Sequence, residues 1–414
     1  MSEVAQAPQL RFPEFIGEWD VTNFGNISSI KRGASPRPIS SPKWFDKDSS
    51  VGWVRISDVT KSKKYLKKTE QYLSEDGINR SRKVDKGNLI MSICATIGKP
   101  IYTNFNVCIH DGFIVFDSLS EDKGFIYYLL EKIQKKWYRY GQPGTQVNLN
   151  SDIVSSEIFS IPTKPEQQKI AAFLAAVDSK IEQLSKKQAL LGEYKKGLME
   201  QIFSQAIRFK ANDGSDFPDW EEKKLGDLSV VISDGNYGEL YPTSSDFKLT
   251  GVPFLRANNI KSLKIDGTDT KYITEEQHSL LTSGHLQTND ILITTRGVLG
   301  NLAIVESTHN GSNINAQICL LRVTNTSELN HFYLLFVLDH RDSKKQYKAF
   351  ETGTALKQLP KGNLRKIKLK LPTLFEQNKI ANFLSSIDTK IEQVGKQLRE
   401  SKQFKKALLQ QMFV

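Results

Sequence analysis

Two segments of the chain carry the same pattern of apolar and polar positions. In both, apolar residues recur at spacings of three and four with Lys and Glu between them, which predicts a long amphipathic helix. The apolar positions are Ile170, Phe173, Leu174, Val177, Ile181 and Leu184 in the first segment and Ile380, Phe383, Leu384, Ile387, Ile391 and Val394 in the second. A continuous helix from Glu166 to Gln205 would be about 60 Å long. A helix of this length needs a partner to cover its apolar stripe.

The two segments are copies of each other. Residues 161–204 align without a gap on residues 371–414, and twenty of the 44 positions are identical. A duplication of this kind determines the architecture, and the simplest cover for each stripe is the other copy, in an antiparallel coiled coil about a pseudo-twofold axis. The alternative is that each helix packs separately on its own domain. Thr163 with Glu166, and Thr373 with Glu376, predict a capping box at the start of each helix.

The segments that precede the helices are rich in short β-branched runs separated by Gly, Asn, Asp and Ser turns. The predicted strands are Val51–Ile56, Asn88–Ile93, Phe113–Phe116, Ile291–Thr295 and Ile318–Val323, and one helix is predicted in each segment, near Gly124–Tyr140 and near Glu328–Phe350. Faint similarity relates the two segments, and it pairs Phe12-Pro13 with Phe217-Pro218, Phe24-Gly25-Asn26-Ile27 with Leu225-Gly226-Asp227-Leu228, Tyr72-Leu73-Ser74-Glu75 with Tyr272-Ile273-Thr274-Glu275, and Gly144-Thr145 with Gly353-Thr354.

The predicted fold is therefore α+β, with two mixed modules joined by two long helices. The expected boundaries are residues 1–160 for the first module, 161–207 for the first helix, 208–370 for the second module and 371–414 for the second helix.

Composition favours a polyanionic partner. The chain has 57 Lys and Arg against 46 Asp and Glu, a net charge of +11, which is common in nucleic-acid-binding proteins. No apolar run approaches the length of a membrane span, and the first residues do not resemble a secretory signal, so we expect a cytoplasmic protein. Three cysteines without a CxxC pair predict neither a disulfide framework nor a zinc site.

Basic and amide side chains in predicted loops are the candidates for binding DNA. Lysines on loops attract phosphates, whereas Arg and Asn side chains can read base edges. The candidates are Lys31, Arg32, Arg37, Lys43, Lys61, Lys63, Lys64, Arg80 and Arg82 in the first module, and Asn236, Tyr237, Arg256, Asn258, Asn259, Lys261, Lys264 and Arg296 in the second. A solvated basic face is the alternative for any single lysine. Because Arg55 and Arg256 occupy matched positions, a shared structural salt bridge is an equal alternative for them.

No catalytic or metal-binding residue is predicted. The sequence contains no GxxxxGK[ST] loop, no GxGxxG after a strand and no Asn/Asp-Pro-Pro-aromatic motif of an adenine methyltransferase. Pro218-Asp219 followed by Glu222 and Lys224 imitates a nuclease motif, but its spacing is too tight for two metal-binding carboxylates on neighbouring strands. The dipeptide His110-Asp111 is interpreted as structural. Asp178 and Asp388 are interpreted as solvated charges on the helices.

The chain resembles the specificity subunits of type I restriction–modification systems. The likeness is carried by Leu10-Arg11-Phe12-Pro13-Glu14-Phe15, Gly17-Glu18-Trp19, Phe217-Pro218-Asp219-Trp220 and the two Pro-Thr-x-x-Glu-Gln-x-Lys-Ile helix openings. The resemblance implies two target-recognition domains that read a bipartite double-stranded DNA site. It also implies that the paired helices act as a ruler and dock two methyltransferase and two restriction–translocase subunits. S-adenosylmethionine, ATP and Mg²⁺ would then belong to those partners, with no cofactor in this chain.

Two other functions remain open. One is a self-sufficient DNA nuclease or methyltransferase, and the other is a coiled-coil adaptor without a nucleic-acid role. The two modules also differ early in their sequences, where Gly33-Ala34-Ser35-Pro36 in the first stands against Asp234-Gly235-Asn236-Tyr237-Gly238 in the second. Contacts inferred for one module therefore do not transfer to the other.

Overall fold

The computed structural model describes residues 7–140, 149–238, 241–354 and 356–414, so the predicted match of Gly144-Thr145 lies outside the described residues. The chain divides into two compact units. Unit 1 comprises Met1–Lys186 and Gly395–Val414, and unit 2 comprises Lys187–Val394. Both division points fall within long helices, so each unit contains a β-rich module and a segment of each helix.

Unit 1 contains module 1, which extends from Asp20 to Ile161. Its strands are β1 (Asp20–Asn23), β2 (Ser29–Arg32), β3 (Gly52–Val54), β4 (Gln71–Tyr72), β5 (Arg82–Val84), β6 (Leu89–Ser92), β7 (Pro100–Tyr102), β8 (Val107–Ile109), β9 (Phe113–Asp117) and β10 (Ile158–Ile161). Its helices are α1 (Phe24–Ile27), α2 (Ile56–Lys61), α3 (Glu75–Asn79), α4 (Lys123–Ile133) and α5 (Ser151–Ser156), with 3₁₀ turns at Pro42–Trp44 and Gln134–Tyr140. The first long helix, α6 (Lys164–Phe203), follows.

Unit 2 contains module 2, which extends from Glu221 to Leu371. Its strands are β11 (Glu221–Lys224), β12 (Val230–Asp234), β13 (Val252–Leu255), β14 (Ile260–Lys261), β15 (Lys264–Ile265), β16 (Lys271–Ile273), β17 (Ile291–Thr294), β18 (Leu302–Ile304), β19 (Asn313–Ile314), β20 (Ile318–Val323) and β21 (Lys368–Leu371). Its helices are α7 (Glu275–Leu280), α8 (His331–Asp339), α9 (Arg341–Phe350) and α10 (Lys361–Leu364), with 3₁₀ turns at Leu225–Asp227, Ala257–Asn259, Gly267–Asp269 and Ser307–His309. The second long helix is α11 (Leu374–Gln411).

The two modules share one sheet plan. Module 1 has a sheet in the order β2-β9-β6-β7, and module 2 has the corresponding sheet β12-β20-β17-β18. In both modules the first strand pairs with the last, and one parallel pair, β3 with β8 or β13 with β19, interrupts an otherwise antiparallel plan. The predicted α+β fold with an internal duplication is therefore confirmed, and the duplication includes the β-rich segments.

Two predicted elements differ from the structure. The helix predicted over Glu328–Phe350 is broken into α8 and α9 at His340, whose ring Nδ1 accepts the backbone N–H of Asp342 as an N-cap. The strand predicted over Val51–Ile56 ends at Val54, because the carboxylate of Asp58 accepts the backbone N–H of Arg55 and α2 begins there. In both places a local side-chain cap overrides the apolar pattern.

A buried Glu–Gln pair anchors the start of α6 in unit 1. Both carboxylate oxygens of Glu166 accept hydrogen bonds from the guanidinium of Arg11 at 2.7 Å. The next residue, Gln167, accepts the backbone N–H of Asp122 at the N-cap of α4 and donates to the carbonyl of Pro162. The helix is thereby tied both to the N-terminal segment and to the main helix of module 1.

Unit 2 repeats this anchor at the start of α11. The fully buried carboxylate of Glu376 accepts from the guanidinium of Arg208, at 2.8 Å for the shorter bond, and from the indole N–H of Trp220 at 3.0 Å. Gln377 accepts the backbone N–H of Asn330 at the N-cap of α8. The carboxylates that were predicted to close capping boxes on their own helices therefore bind arginines from the preceding segments.

The aromatic residues next to the anchors also repeat between the two halves. Phe12, next to Arg11, packs edge-to-face on Phe173 with ring centroids 5.8 Å apart, and Phe209, next to Arg208, packs in the same way on Phe383 at 5.6 Å. Positions 173 and 383 are equivalent in the duplication, so Phe209 makes the ring contact that Phe12 makes. The equivalent lysines Lys169 and Lys379 lie over the rings of Phe12 and Phe217, 4.8 Å and 5.8 Å from the centroids, which agrees with the predicted match of Phe12 with Phe217. Phe12 therefore makes the contacts that two phenylalanines share in the second half.

Within each unit the two helices are antiparallel and joined by the same ion pair. In unit 1 Asp178 of α6 binds Lys405 of α11 at 2.8 Å, and in unit 2 Lys195 of α6 binds Asp388 of α11 at 2.7 Å. The two aspartates are equivalent positions of the duplication, as are the two lysines, of which Lys195 is buried. Interpreting Asp178 and Asp388 as solvated charges is therefore wrong, because they pair the helices.

The apolar stripe of each long helix packs both on its own module and on the other long helix. In unit 1 Ile170 and Leu174 lie in one core with Phe125 of module 1 and Met412 of α11. In unit 2 Ile380 and Leu384 share a core with Tyr333 of module 2 and Ile202 of α6. The remaining predicted stripe residues are buried or half-buried: Phe173, Val177, Ile181, Leu184, Phe383, Ile387, Ile391 and Val394. Each helix thus packs on its own module and on the other helix.

Among the described residues, no helix combines the length and apolar character that a membrane crossing requires. No group of three or more His, Cys, Asp or Glu residues in the same ranges is placed to hold a metal ion.

We predict that Arg208→Met destabilises unit 2 because it leaves the carboxylate of Glu376 buried without its cation. Loss of one partner of a buried ion pair costs about 3–5 kcal/mol. The indole N–H of Trp220 remains, so the expected loss lies at the lower end of that range. The urea midpoint of the full chain measures it.

Lys210→Met is the matched control. Its ammonium binds Asp216 at 2.5 Å in an exposed pair two residues further along the chain. Exposed pairs contribute little to stability, so this variant should keep the wild-type midpoint. Equal losses in the two variants would contradict the role of the anchor.

Candidate nucleic-acid interface

Three loops that are distant in sequence meet in each module. In module 1 the backbone N–H of Gly33 donates to the backbone carbonyl of Phe113. The N–H of Ala34 donates to the carbonyl of Ile109, and that of Ile93 to the carbonyl of Gly112. These bonds join residues 33–37, 94–98 and 110–112. In module 2 the backbone N–H of Gly235 donates to the carbonyl of Ile318, and the backbone N–H of Thr295 donates to the carbonyl of Gln317. These bonds join residues 235–238, 296–300 and 315–317. We call each set the three-loop cluster of its module.

Glycine fixes the same close approach in both clusters. A Cβ atom on Gly33 would lie 2.1 Å from the carbonyl oxygen of His110, and one on Gly235 would lie 2.2 Å from the carbonyl oxygen of Asn315. No side chain fits at such distances, so only glycine is possible at these positions. The differing turn sequences of the two modules therefore share one backbone anchor, and they differ in the side chains that follow it.

In module 1 the cluster gathers arginines around Asp111. The Nε of Arg32 donates to the backbone carbonyl of Asp111 at 2.7 Å, and the guanidinium of Arg37, 78% exposed, lies 3.6 Å from its carboxylate. The Nε of Arg82 donates to the carbonyl of Arg32 at 3.1 Å. Sequence reasoning treated Asp111 as part of an isolated dipeptide. It missed the organising role because Arg32 and Arg37 are distant from Asp111 in the sequence.

The carboxylate of Asp111 is ionised at neutral pH. Burial alone would raise its pKa, but the hydrogen bond from Ser35 and the neighbouring His110 lower the pKa below its ordinary value. The charge attracts the two nearest guanidinium groups and limits their side-chain freedom. Exposed arginines that are held in place in this way suit recognition of phosphates or base edges.

In module 2 the cluster presents an arginine on an aromatic ring. The guanidinium of Arg296 lies 4.9 Å from the ring centroid of Tyr237 and donates to its hydroxyl at 3.0 Å. The ring is 51% exposed. Burial raises the pKa of the Tyr237 phenol, which therefore stays neutral at physiological pH.

Other predicted residues of module 1 lie outside the cluster. Lys43 and Arg80 lie over the ring of the buried Trp44, 4.3 Å and 5.6 Å from its centroid. Lys31 is bound to Asp117, Lys61 binds Glu70 at 2.7 Å, and Lys63 is exposed.

Lys64 has a structural position. Its ammonium donates to the hydroxyl of Tyr128 at 2.9 Å and lies 4.9 Å from the ring centroid of Tyr127. Burial lowers the pKa of Lys64. Since Tyr128 in turn donates to Asp178 of α6, Lys64 belongs to the junction between module and helix. Its prediction as a DNA contact is not supported.

Two asparagine side chains of module 2 are buried and hydrogen-bonded within the protein. Asn236, 4% exposed, donates to the carbonyl of Ser283 at 2.6 Å and accepts the backbone N–H of the same residue. Asn259 is buried, accepts the backbone N–H of Arg256 and donates to the carbonyl of Asp266. The structure contradicts their prediction as base readers, because neither amide has exposed hydrogen-bonding atoms.

The remaining basic candidates of module 2 are held by carboxylates. Arg256 binds Asp269 at 2.6 Å, so the salt-bridge alternative holds for this residue, and the exposed Asn258 also donates to Asp269. The matched Arg55 is exposed and forms no ion pair within 4.0 Å in the described part of the chain, so the bridge is not shared. Two lysines form similar pairs: Lys261 binds Asp266 at 2.8 Å and Lys264 binds Glu392 of α11 at 2.8 Å.

Comparison with known proteins gives a consistent result. The sequence model of the type I restriction modification DNA specificity domain matches residues 16–191 and 218–400. The type I restriction enzyme MjaVIII specificity subunit of Methanocaldococcus jannaschii is 23% identical over 421 residues, which cover 97% of this chain and 92% of that protein. The MjaIX specificity subunit of the same organism is 26% identical over 277 residues, 61% of this chain and 60% of that protein.

A solved structure shows the same fold. The crystal structure of a type I restriction–modification S subunit from M. genitalium superimposes with a TM-score of 0.63 at 17% sequence identity, covering 99% of both chains. The two family-domain matches coincide with the two halves of the duplication. The chain therefore belongs to the type I restriction–modification DNA specificity family and is a specificity subunit with two target-recognition domains.

Proposed function

We propose that each module reads one half of a bipartite double-stranded DNA site through its three-loop cluster. The observation that supports this most directly is the pair of equivalent clusters, which share a glycine anchor but present different side chains. Arg32 and Arg37 lie beside Asp111 in module 1 and Arg82 donates to the carbonyl of Arg32, whereas Arg296 lies on the ring of Tyr237 in module 2. One frame with two different surfaces suits two dissimilar half-sites.

We propose further that this chain is not catalytic and acts in the cytoplasm with two methyltransferase and two restriction–translocase subunits. S-adenosylmethionine, ATP and Mg²⁺ would be bound by those partners, and the paired helices would set the distance between the half-sites. The nuclease-like string supports no other assignment, because Asp219 is exposed beside Arg208 and Glu222 is paired with Lys368. Two acidic groups that bind basic side chains in this way do not form a metal site.

Each unit also carries an exposed aromatic residue on one of its helix segments. Tyr194 of α6 is 56% exposed and Phe404 of α11 is 51% exposed, and the two are equivalent positions of the duplication. Exposed aromatic residues on a charged helix are favourable anchors for a partner. The predicted stripe residues are turned into the cores, so we propose that Tyr194 and Phe404, rather than the stripe, contact the methyltransferase subunits.

For DNA binding we predict that the double variant Arg32→Ala, Arg37→Ala weakens specific binding about tenfold or more. Each lost base contact is worth about 1–3 kcal/mol, and each lost phosphate contact reduces the dependence of affinity on salt. Titration of labelled target DNA at several salt concentrations, with the full chain in its methyltransferase complex, measures both quantities. Lys210→Ala removes a positive charge outside the clusters and serves as control. The proposal fails if that control weakens binding as much as the double variant does.

For docking we predict that Tyr194→Ala with Phe404→Ala weakens association with the methyltransferase subunits at least tenfold, because truncation of an anchoring aromatic typically costs about 2 kcal/mol or more. Both side chains are half-exposed, so the unfolding midpoint should stay close to that of the wild type. Sedimentation of the assembled complex measures the association. Tyr138→Ala, which removes a 54% exposed ring from module 1, is the control. Unchanged assembly by the double variant would exclude this surface.

A further inference from the structure

Arg296 differs from four other arginines of unit 2 in what holds it. Arg208, Arg256, Arg322 and Arg341 each bind a carboxylate within 2.8 Å. Among the described residues no carboxylate lies within ion-pair distance of Arg296, and its guanidinium is held by a neutral phenol instead. A guanidinium that is fixed by an aromatic ring keeps its full charge and most of its donors for an external acceptor.

The backbone around Arg296 limits its freedom further. The strand-like bridge between Arg296 and Gln358 fixes the backbone on one side, and the hydroxyl of Thr294 donates to the carbonyl of Val298 on the other. Only the side chain remains to be ordered on binding, and Tyr237 orders it in advance. Pre-organisation of this kind reduces the entropy lost when a contact forms.

The neighbours of Arg296 are suited to base edges more than to phosphates. Val298 is 70% exposed and Leu356, in the turn that leads to Gln358, is 74% exposed. Phosphate sites in proteins are lined with N–H groups and hydroxyls, whereas base edges in the major groove offer both polar atoms and the thymine methyl group. Exposed aliphatic side chains on the segments that carry Arg296 and its bridge partner Gln358 match the second surface.

Module 1 has no counterpart to this arginine. Its equivalent loop has the same geometry, since the hydroxyl of Ser92 donates to the carbonyl of Thr96 as that of Thr294 does to Val298, and Gly98 and Gly300 adopt φ of +73° and +76°. The residue at the position of Arg296 is Cys94, a half-buried thiol whose pKa burial raises. The two modules therefore place different chemistry at one structural position.

We propose that Arg296, positioned by Tyr237, reads a guanine in the half-site of module 2, and that module 1 does not read its half-site from this position. The planar fork of arginine fits the O6 and N7 acceptors of guanine, which is the commonest specific contact in the major groove. This inference rests on the proposed function, because it assumes that module 2 reads DNA. It adds the base and the residue that recognises it.

The test is selection of DNA from a pool with random half-sites by the full chain in its methyltransferase complex. The wild type is expected to select a guanine in one half-site. Arg296→Ala is expected to lose the preference for that guanine by about tenfold or more while keeping every position of the other half-site. Arg37→Ala, expected to change the other half-site, assigns the halves to the modules. Retention of the second half-site within the same molecule shows that the variant is folded.

Two further variants separate base reading from charge. Arg296→Lys keeps the charge but replaces the planar fork with a single ammonium, so it is expected to lose part of the guanine preference, whereas Tyr237→Phe, which loses only the hydroxyl, is expected to reduce it less. An unchanged guanine preference in Arg296→Ala, or weakening in Arg296→Ala that is uniform at all positions with a smaller salt dependence, would each overturn the inference alone. A wild type that selects no sequence would instead overturn the proposed function.

Discussion

The buried carboxylate at the start of each long helix is the interaction on which the rest of the structure depends. Glu166 and Glu376 lie out of water, and a buried carboxylate is tolerated only when it is paired and hydrogen-bonded. Arg11 and Arg208 supply the pair, and each belongs to the segment that leads into a module. The adjacent glutamines bind the N-cap of the main module helix. These contacts fix each module to a long helix, and none of them involves a recognition loop.

The duplication gives each unit the same solution to a difficult packing problem. A helix of forty residues cannot be covered by one small module, so the stripe of α6 packs on module 1 near its start and on module 2 near its end, with α11 beside it in both units. The repeated Asp–Lys pairs join the helices at equivalent positions. Ion pairs at partly buried positions between helices select register and direction more than they add stability. The modules can then diverge in their loops without losing the frame.

The sequence was sufficient for the helices, the duplication and the fold class, because a period of 3.6 residues and a repeated motif are local signals. It was insufficient to predict which side chains of the candidate nucleic-acid interface are exposed. Asn236 and Asn259 have the residue type of base readers but are buried, and their burial depends on strand order, which local sequence patterns do not reveal. Lys64 lies among tyrosines for the same reason. Asp111 was overlooked because the two arginines beside it, Arg32 in β2 and Arg37 in the loop after β2, are distant from it in the sequence.

The two clusters explain how one fold can serve a divided target. Their shared glycine anchor holds the loops in place, and the side chains at equivalent positions, such as Cys94 and Arg296, differ in chemistry. The central claim is that two dissimilar readers occupy one duplicated frame. Sequencing of methylated bases in the genome of a cell that produces the chain with its methyltransferase tests this most directly. The account predicts methylation within a motif of two short, dissimilar half-sites separated by a fixed number of unspecified bases, and a single uninterrupted motif would contradict it.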